Sequence, residues 1–487
     1  SMIINRSFNE FKFRHRSKKN QIIYTSKKVK NDDEVLNLIN NFLSEKNSFI
    51  FESVEKGKIK GRYTIFGKNP DKIWEFNNNN SYLIKNKKKI KLKAKPQKLI
   101  NNIIENFKFK IPDALPPISS LISGYFSYDS IRYIEKIPNT CKDDLKVPDV
   151  RLLRPRTLVI HDNLKKKIFY IINVFSDEKI INYSKKYLEI KSNLSSLLIQ
   201  SLTKNFTASQ KEKSKKIIVK SNTPKNKFLS MINKAKHHIK LGDIFQVVLS
   251  QRFEAKLTKK PLEIYKKLRL TNPSPFMYFF NFNDFQIIGA SPEILVRLRD
   301  NKITVRPIAG TRPRGKTSKQ DKFYEKDLLK DKKELSEHLM LLDLGRNDAG
   351  KVSKVNTVKV TESFVIERYS HVMHIVSNVI GDYNKKFSKF KSLLAGFPAG
   401  TVSGAPKIRA MEIIDKLENS KRKVYAGGIG YFSANGEFDT CIALRTAVAK
   451  NNKFYVQAGA GIVADSIPKK EYQETVNKAK ALINALK

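Results

Sequence analysis

The sequence predicts an α/β protein of the α+β type, with mostly antiparallel strands. Three observations predict it. Strand-like runs mark the first half. From Pro224 onward helical and strand patterns alternate along the chain. Where strands come in pairs they read as hairpins, as in EILVRLRDNKITVRP (293–307), turning at Asp300-Asn301. Asp and Asn tolerate the left-handed backbone of tight hairpin turns.

Taken in order, residues 2–205 form a first, regulatory or structural region rich in Lys and Asn. Its strand-like runs are 48–52, 62–66, 81–84 and 169–174. KIKLKAK (89–95) alternates apolar and Lys residues with the period of a strand, and 77–80 is a loop tip. The stretch TKNFTASQKEKSKKIIVKSNT (203–223) is polar, charged and without periodicity, so the boundary falls there, with 206–223 as linker. Residues 224–487 form the second domain. It opens with a helix over 224–241, then strands over 244–253, 285–290, 293–299 and 303–307. Helices follow at 321–343, 387–395, 406–417 and 468–486. No internal repeat is present.

Composition narrows the function. The 487 residues suffice for a large core. Ser1, ahead of Met2, reads as a cloning remnant, and INRSFNEFKFRHRSKK lacks the apolar segment of a signal peptide. No run approaches the roughly 18 apolar residues of a membrane span. Cys141 and Cys441 are too few for a disulfide framework. These features lead us to expect a cytoplasmic protein. Lys+Arg of 94 against Asp+Glu of 46 gives a net charge of +48 and raises nucleic-acid binding as a rival reading. The excess is mostly Lys spread from end to end with abundant Asn and Ile, the residues of AT-rich codons. With no zinc-finger, RRM or zipper pattern, no nucleic-acid partner is expected. The positive field would still attract a small dicarboxylate.

The chemistry concentrates in two acidic pairs. KELSEHLMLLDLGRND (333–348) places Glu334 and Glu337 on one helix face, and Glu471 and Glu474 repeat the spacing in the last helix. Leu335, Leu339 and Leu342 follow helical spacing on a neighbouring face and read as core. ExxE is also an ordinary solvated face. Two such pairs in a basic chain suit a hard cation such as Mg²⁺. Glycine segments follow in the second half: GASPE (289–293), PIAGTRPRG (307–315), PAGTVSGAPK (398–407), YAGGIGYF (425–432) and QAGAGIVADS (457–466). They form neither a dinucleotide fingerprint nor a P-loop, and tight turns would account for any one of them.

Together and in this order, these segments resemble the chorismate-utilising enzymes, most closely the anthranilate synthase large subunits. The resemblance covers nearly the whole chain, including FESVEKGKIKGRYTIFG (51–67). It implies two packed, mostly antiparallel β-sheets with outer helices and a site between the sheets. It also implies Mg²⁺-dependent attack of ammonia at C2 of chorismate, loss of the C4 hydroxyl, and elimination of pyruvate. Glu337 and Glu474 would hold the metal, with Glu334 and Glu471 behind them or bridged by water. Arg445, Tyr425 and the N–H groups of Gly459, Ala460 and Gly461 would hold the enolpyruvyl carboxylate. Gly310 and Thr311 would lie against the ring carboxylate. Glu293 would protonate the leaving hydroxyl, His374 would polarise or protonate the substrate, and Thr401 would touch the ring. His371 is the neighbour of His374 in sequence.

Two positions choose a branch. Water-activating relatives resemble one another in carrying Lys where this chain has Gln246, and an amide is too weak a base for that task. Aminodeoxychorismate synthases, the alternative reading, carry Lys in PIKGT where this chain has Ala309. Free ammonia attack therefore fits. Glu52 and Ser53, with Pro275, Phe276 and Met277 of NPSPFM (272–277), resemble the family's site for inhibition by L-tryptophan. Glu52 would meet the ammonium, although the family more often has Tyr than Phe276. No GxCxG-type glutaminase segment surrounds either cysteine, so the resemblance implies a separate glutamine amidotransferase subunit as ammonia source.

Overall fold

The structure is a computed structural model and describes residues 2–55, 57–208, 216–369 and 371–487. Part of the expected linker, 209–215, lies outside the described residues. Two long strands, Tyr63–Asn77 and Val150–Asp162, organise the molecule by pairing along their whole length. Each bends through a Pro-containing irregularity between Pro70 and Lys72 and so serves two sheets. Their ladder at 63–68 with 157–162 belongs to the first sheet. On one side it continues through Lys167–Val174 to Gln21–Lys28. On the other it runs through Ser48–Glu52, Phe276–Asn281, Gln286–Ser291, Thr446–Lys450 and Lys453–Ile462 to Gln246–Lys256.

Their other halves start the second sheet. It continues through Leu121–Phe126, Gly428–Ser433, Phe438–Ile442, Ile294–Arg299 and Lys302–Val305 to Val372–Asp382. Ile308–Pro313 and Lys359–Arg368 flank this last strand. All these ladders are antiparallel. The expected two sheets are thus one hydrogen-bonded surface folded on itself.

Aromatic residues fill the space between the layers, with Tyr278, Phe280 and Phe282 of one facing Tyr125 and Ile429 of the other. Helices Asp33–Ser44, Pro261–Thr271 and Pro468–Ile483 cover the outside of the first sheet, while Pro96–Asn106 and Lys389–Ala395 cover the second. Asp300 and Asn301 take φ of 52° and 59°, the left-handed pair expected of their hairpin.

Two sequence expectations change. The single helix over 321–343 is two, Ser318–Lys330 and Lys332–Gly350, because the Asp331 carboxylate accepts from the Lys333 and Glu334 N–H groups and starts a new helix. Within the second helix Leu342 is buried and Leu335 half-buried, but Leu339 is 49% exposed. His338 and Leu341 take core positions instead. Among the described residues no helix is long and apolar enough to cross a membrane.

Candidate active site

Where the edge of the first sheet meets the edge of the second, a cavity of about 1060 Å³ opens. Strands Gln246–Lys256 and Lys453–Ile462 form one wall, Ile308–Pro313 and Val372–Asp382 the other, and the two acidic helices close the side. Glu293, His374, Thr401, Gln246, Gly310, Thr311, Tyr425, Arg445, Gly459, Gly461, Glu334, Glu337, Glu471 and Glu474 all line it. Ala460 does not. Alternation along the strand turns its side chain into the core beside Ile462.

Glu293 sits in the turn between two strands, fully buried. Thr401 Oγ1 donates to its Oε2 at 3.2 Å and the Ile308 N–H to its Oε1 at 3.4 Å. Burial pushes its pKa up to about 8, against the pull of these two donors. Such a carboxyl keeps its proton to higher pH than an ordinary one.

His374 is set up oppositely. Its Nδ1 lies 3.1 Å from the Gly310 carbonyl, which fixes the proton there, and Nε2 is buried without a protein partner among the described residues. Burial, helped by the Arg445 charge, lowers its pKa to about 4. The ring is neutral and offers Nε2 as an acceptor. His371 stays outside, exposed and paired with the Thr271 carbonyl.

Arg445 stands in the loop before Thr446–Lys450 with φ of 48°, a left-handed backbone that costs a non-glycine residue about 1 kcal/mol or more. Its side chain is open to the cavity yet surrounded by protein, so desolvation lowers its pKa. Among the described residues it has no carboxylate within ion-pair distance. Two glycines explain the neighbouring wall. A Cβ on Gly459 would stand 2.6 Å from the Tyr425 hydroxyl, and one on Gly461 2.4 Å from Gln246 Nε2. These positions are bare so that Tyr425 and Gln246 can approach the strand.

The four acids face one another across the gap between the helices. Burial and mutual repulsion raise Glu334, Glu337 and Glu471: Glu474 acts on all three, and Glu334 on Glu337. Gln246 Nε2 donates to Glu337 at 3.3 Å, and Arg312 lies 3.6 Å from Glu334. No three such groups among the described residues stand close enough to grip a bare ion. That spacing and excess of negative charge suit a cation that keeps part of its water, as Mg²⁺ does.

Two wall residues escaped the sequence reading. Lys478, one helical turn after Glu474, donates to the Gly459 carbonyl at 2.9 Å and pairs with Glu474 at 3.1 Å. Its i,i+4 spacing from Glu474 was the available signal. Gln457 donates Nε2 to Ser250 Oγ at 2.9 Å, leaving a buried carbonyl oxygen unpartnered, and nothing in the sequence marks it.

The proposed effector residues gather elsewhere. Glu52 lies directly opposite Met277 in the ladder, and both are buried. Ser53, Pro275 and Phe276 are half-buried beside them. Glu52 already has partners: Arg269 Nε donates to its two oxygens at 3.1 and 3.0 Å, and the Tyr265 hydroxyl donates as well.

Residues 47–484 match the chorismate binding enzyme family. The chain is 46% identical to anthranilate synthase component 1 of Cereibacter sphaeroides, over 98% of this chain and 97% of that one. Its identity to the component 1 of Acetivibrio thermocellus is 43%, over 93% and 92%. A crystal structure of anthranilate synthase component I from Streptococcus pneumoniae TIGR4 superposes with a TM-score of 0.77 at 38% identity, covering 87% of this chain and 93% of that one. The menaquinone-specific isochorismate synthase of Escherichia coli shares the fold, with a TM-score of 0.72 at 18% identity over 96% and 95%.

Proposed function

This chain belongs to the chorismate binding enzyme family, and we propose how its cavity turns chorismate and ammonia into anthranilate. The activity is that of an anthranilate synthase component 1, a lyase of the route to tryptophan. The observation that carries the mechanism is that one cavity holds both Glu293, whose carboxyl is pushed up by burial, and His374, whose imidazole is pushed down by burial. Arg445, Lys478 and the Tyr425 hydroxyl hold the enolpyruvyl carboxylate. Gly310 and Thr311 lie against the ring, and the Gln246 amide, held by Glu337, faces the nucleophile's side.

Ammonia attacks C2, and both ring double bonds shift, from C1=C2 and C5=C6 to C1=C6 and C4=C5. The C4 hydroxyl leaves as water with the proton of Glu293, and the new ammonium group gives up a proton to solvent. Thr401 keeps that carboxyl aimed. His374 Nε2 then takes the hydrogen from C2 as the C3–O bond breaks. The departing enolpyruvate gains a proton at its methylene and becomes pyruvate, leaving the ring aromatic.

Mg²⁺ fits the four acids, with Glu337 and Glu474 as direct holders and Glu334 and Glu471 acting through water. When bound, it would neutralise the ring carboxylate of the substrate. A separate glutamine amidotransferase subunit supplies ammonia, and L-tryptophan inhibits from the Ser53 and Pro275–Met277 side. Glu52 serves there by holding Arg269 and Tyr265 in place. The biosynthetic relatives fit a cytoplasmic location.

The test is product identity. Chorismate, Mg²⁺ and an ammonium salt at mildly alkaline pH should give fluorescent anthranilate with this chain alone, and glutamine should not replace ammonium. Isochorismate or aminodeoxychorismate as main product would refute the reading of Gln246 or of Ala309.

A further inference from the structure

Arg422 is 2% exposed and does not line the cavity, yet its guanidinium reaches residues in its wall and just behind it. Nε and Nη2 donate to the two oxygens of Glu418 at 2.8 and 2.9 Å. Nη2 also donates to the Val248 carbonyl at 2.8 Å, and Nη1 to the Val402 carbonyl at 2.6 Å. The flat cation lies over Tyr425, 5.4 Å from the ring centre, and over Tyr128 at 4.6 Å. Glu418 is held in turn by the Ser250 N–H and hydroxyl, at 2.8 and 2.9 Å.

Each of these partners adjoins a group used in the reaction. Val402 follows Thr401, whose hydroxyl donates to Glu293. Tyr425 brings its hydroxyl to the bare backbone of Gly459. Val248 is itself a wall residue, opposite Gly461 in the ladder. A buried ion pair is seldom worth more to stability than apolar side chains of the same volume. What an Arg fork adds is direction, because its donors leave in a fixed plane.

We propose that Arg422, anchored by Glu418, is a positioning residue that sets the Thr401 and Tyr425 hydroxyls against bound chorismate. The proposal rests on the reading of the cavity as the chorismate site. A lysine in its place keeps the charge but not the fork, so both hydroxyls lose their alignment while the core stays filled.

Chorismate affinity, measured by calorimetry with Mg²⁺ and without ammonia or glutamine, tests this in a mutant cycle. Arg422→Lys should weaken chorismate binding about tenfold in the wild-type background. In a Thr401→Ala/Tyr425→Phe background, which lacks the hydroxyls to be aligned, the same change should cost less than about twofold. Equal losses in both backgrounds, or no loss in a chain that melts cooperatively, would overturn the proposal. Should Arg422→Lys fail to fold, Glu418→Gln runs the same cycle, since it removes the anchoring charge and keeps the shape. Wild type that binds no chorismate would overturn the site reading and the clamp together, whereas additive losses overturn only the clamp.

Discussion

The cavity and the Glu52 pocket treat buried charge in opposite ways. At Glu52 the carboxylate has a guanidinium and a phenol hydroxyl on it. In the cavity four carboxylates face one another, Arg445 stands without an acid among the described residues, and His374 Nε2 has no partner. The first arrangement pairs its charges and would be costly to break. The second costs stability and becomes favourable only when a cation and a dicarboxylate arrive. The difference separates a region that holds its shape from one that waits for ligands, and it makes mutations of the same kind move stability in opposite directions.

The largest effect is expected at Glu293. Glu293→Gln removes the proton donor and should lower turnover about a thousandfold, read as anthranilate fluorescence. Wild-type turnover should fall as pH rises past about 8, where this acid ionises. The sign for stability follows from the same shift. The folded chain holds this proton more tightly than the unfolded one, so the contribution is full below the ordinary carboxylate range and is lost as pH rises to about 8. Glu293→Gln should therefore melt no lower than wild type at pH 8, a result that thermal unfolding would check.

Next in size is the contrast itself. Glu52→Gln leaves Arg269 buried against a neutral partner and should cost about 3–5 kcal/mol in urea unfolding. Glu337→Gln without metal should leave stability unchanged or raise it, since it relieves repulsion from Glu334 and Glu474. Equal destabilisation by both would break the comparison.

A smaller effect sharpens the regulatory side. Ser53→Phe or Met277→Thr should raise the tryptophan concentration for half-inhibition about tenfold and leave uninhibited turnover within about twofold. The route to the cavity is short: Ser274 Oγ donates to the Ser291 carbonyl at 2.6 Å, two residues before Glu293.

Much of this was legible because it is local or periodic. The ExxE pairs share a helix face by spacing alone, and the 300–301 turn announces its hairpin. The family motifs brought together every proposed wall residue but Ala460, whose neighbours point into the cavity while it points away. The misses have physical causes. Asp331 reads as one more charged helix residue until its carboxylate is seen capping a new helix. Arg269 lies 217 residues from Glu52. No periodicity encodes a pair brought together by the ladder between Ser48–Glu52 and Phe276–Asn281. Gln457 and Arg422 depend on the same kind of long-range meeting.

The most direct measurement is a Mg²⁺ titration of thermal stability in wild type, Glu337→Gln and Glu334→Gln. If the acidic quartet is a cation site whose repulsion is relieved by its ligand, wild type should start low and rise with Mg²⁺. Glu337→Gln should start equal or higher and respond only at Mg²⁺ concentrations about a hundredfold greater, with Glu334→Gln about tenfold shifted. A wild-type chain indifferent to Mg²⁺, or a Glu337→Gln chain that titrates like it, would contradict the account.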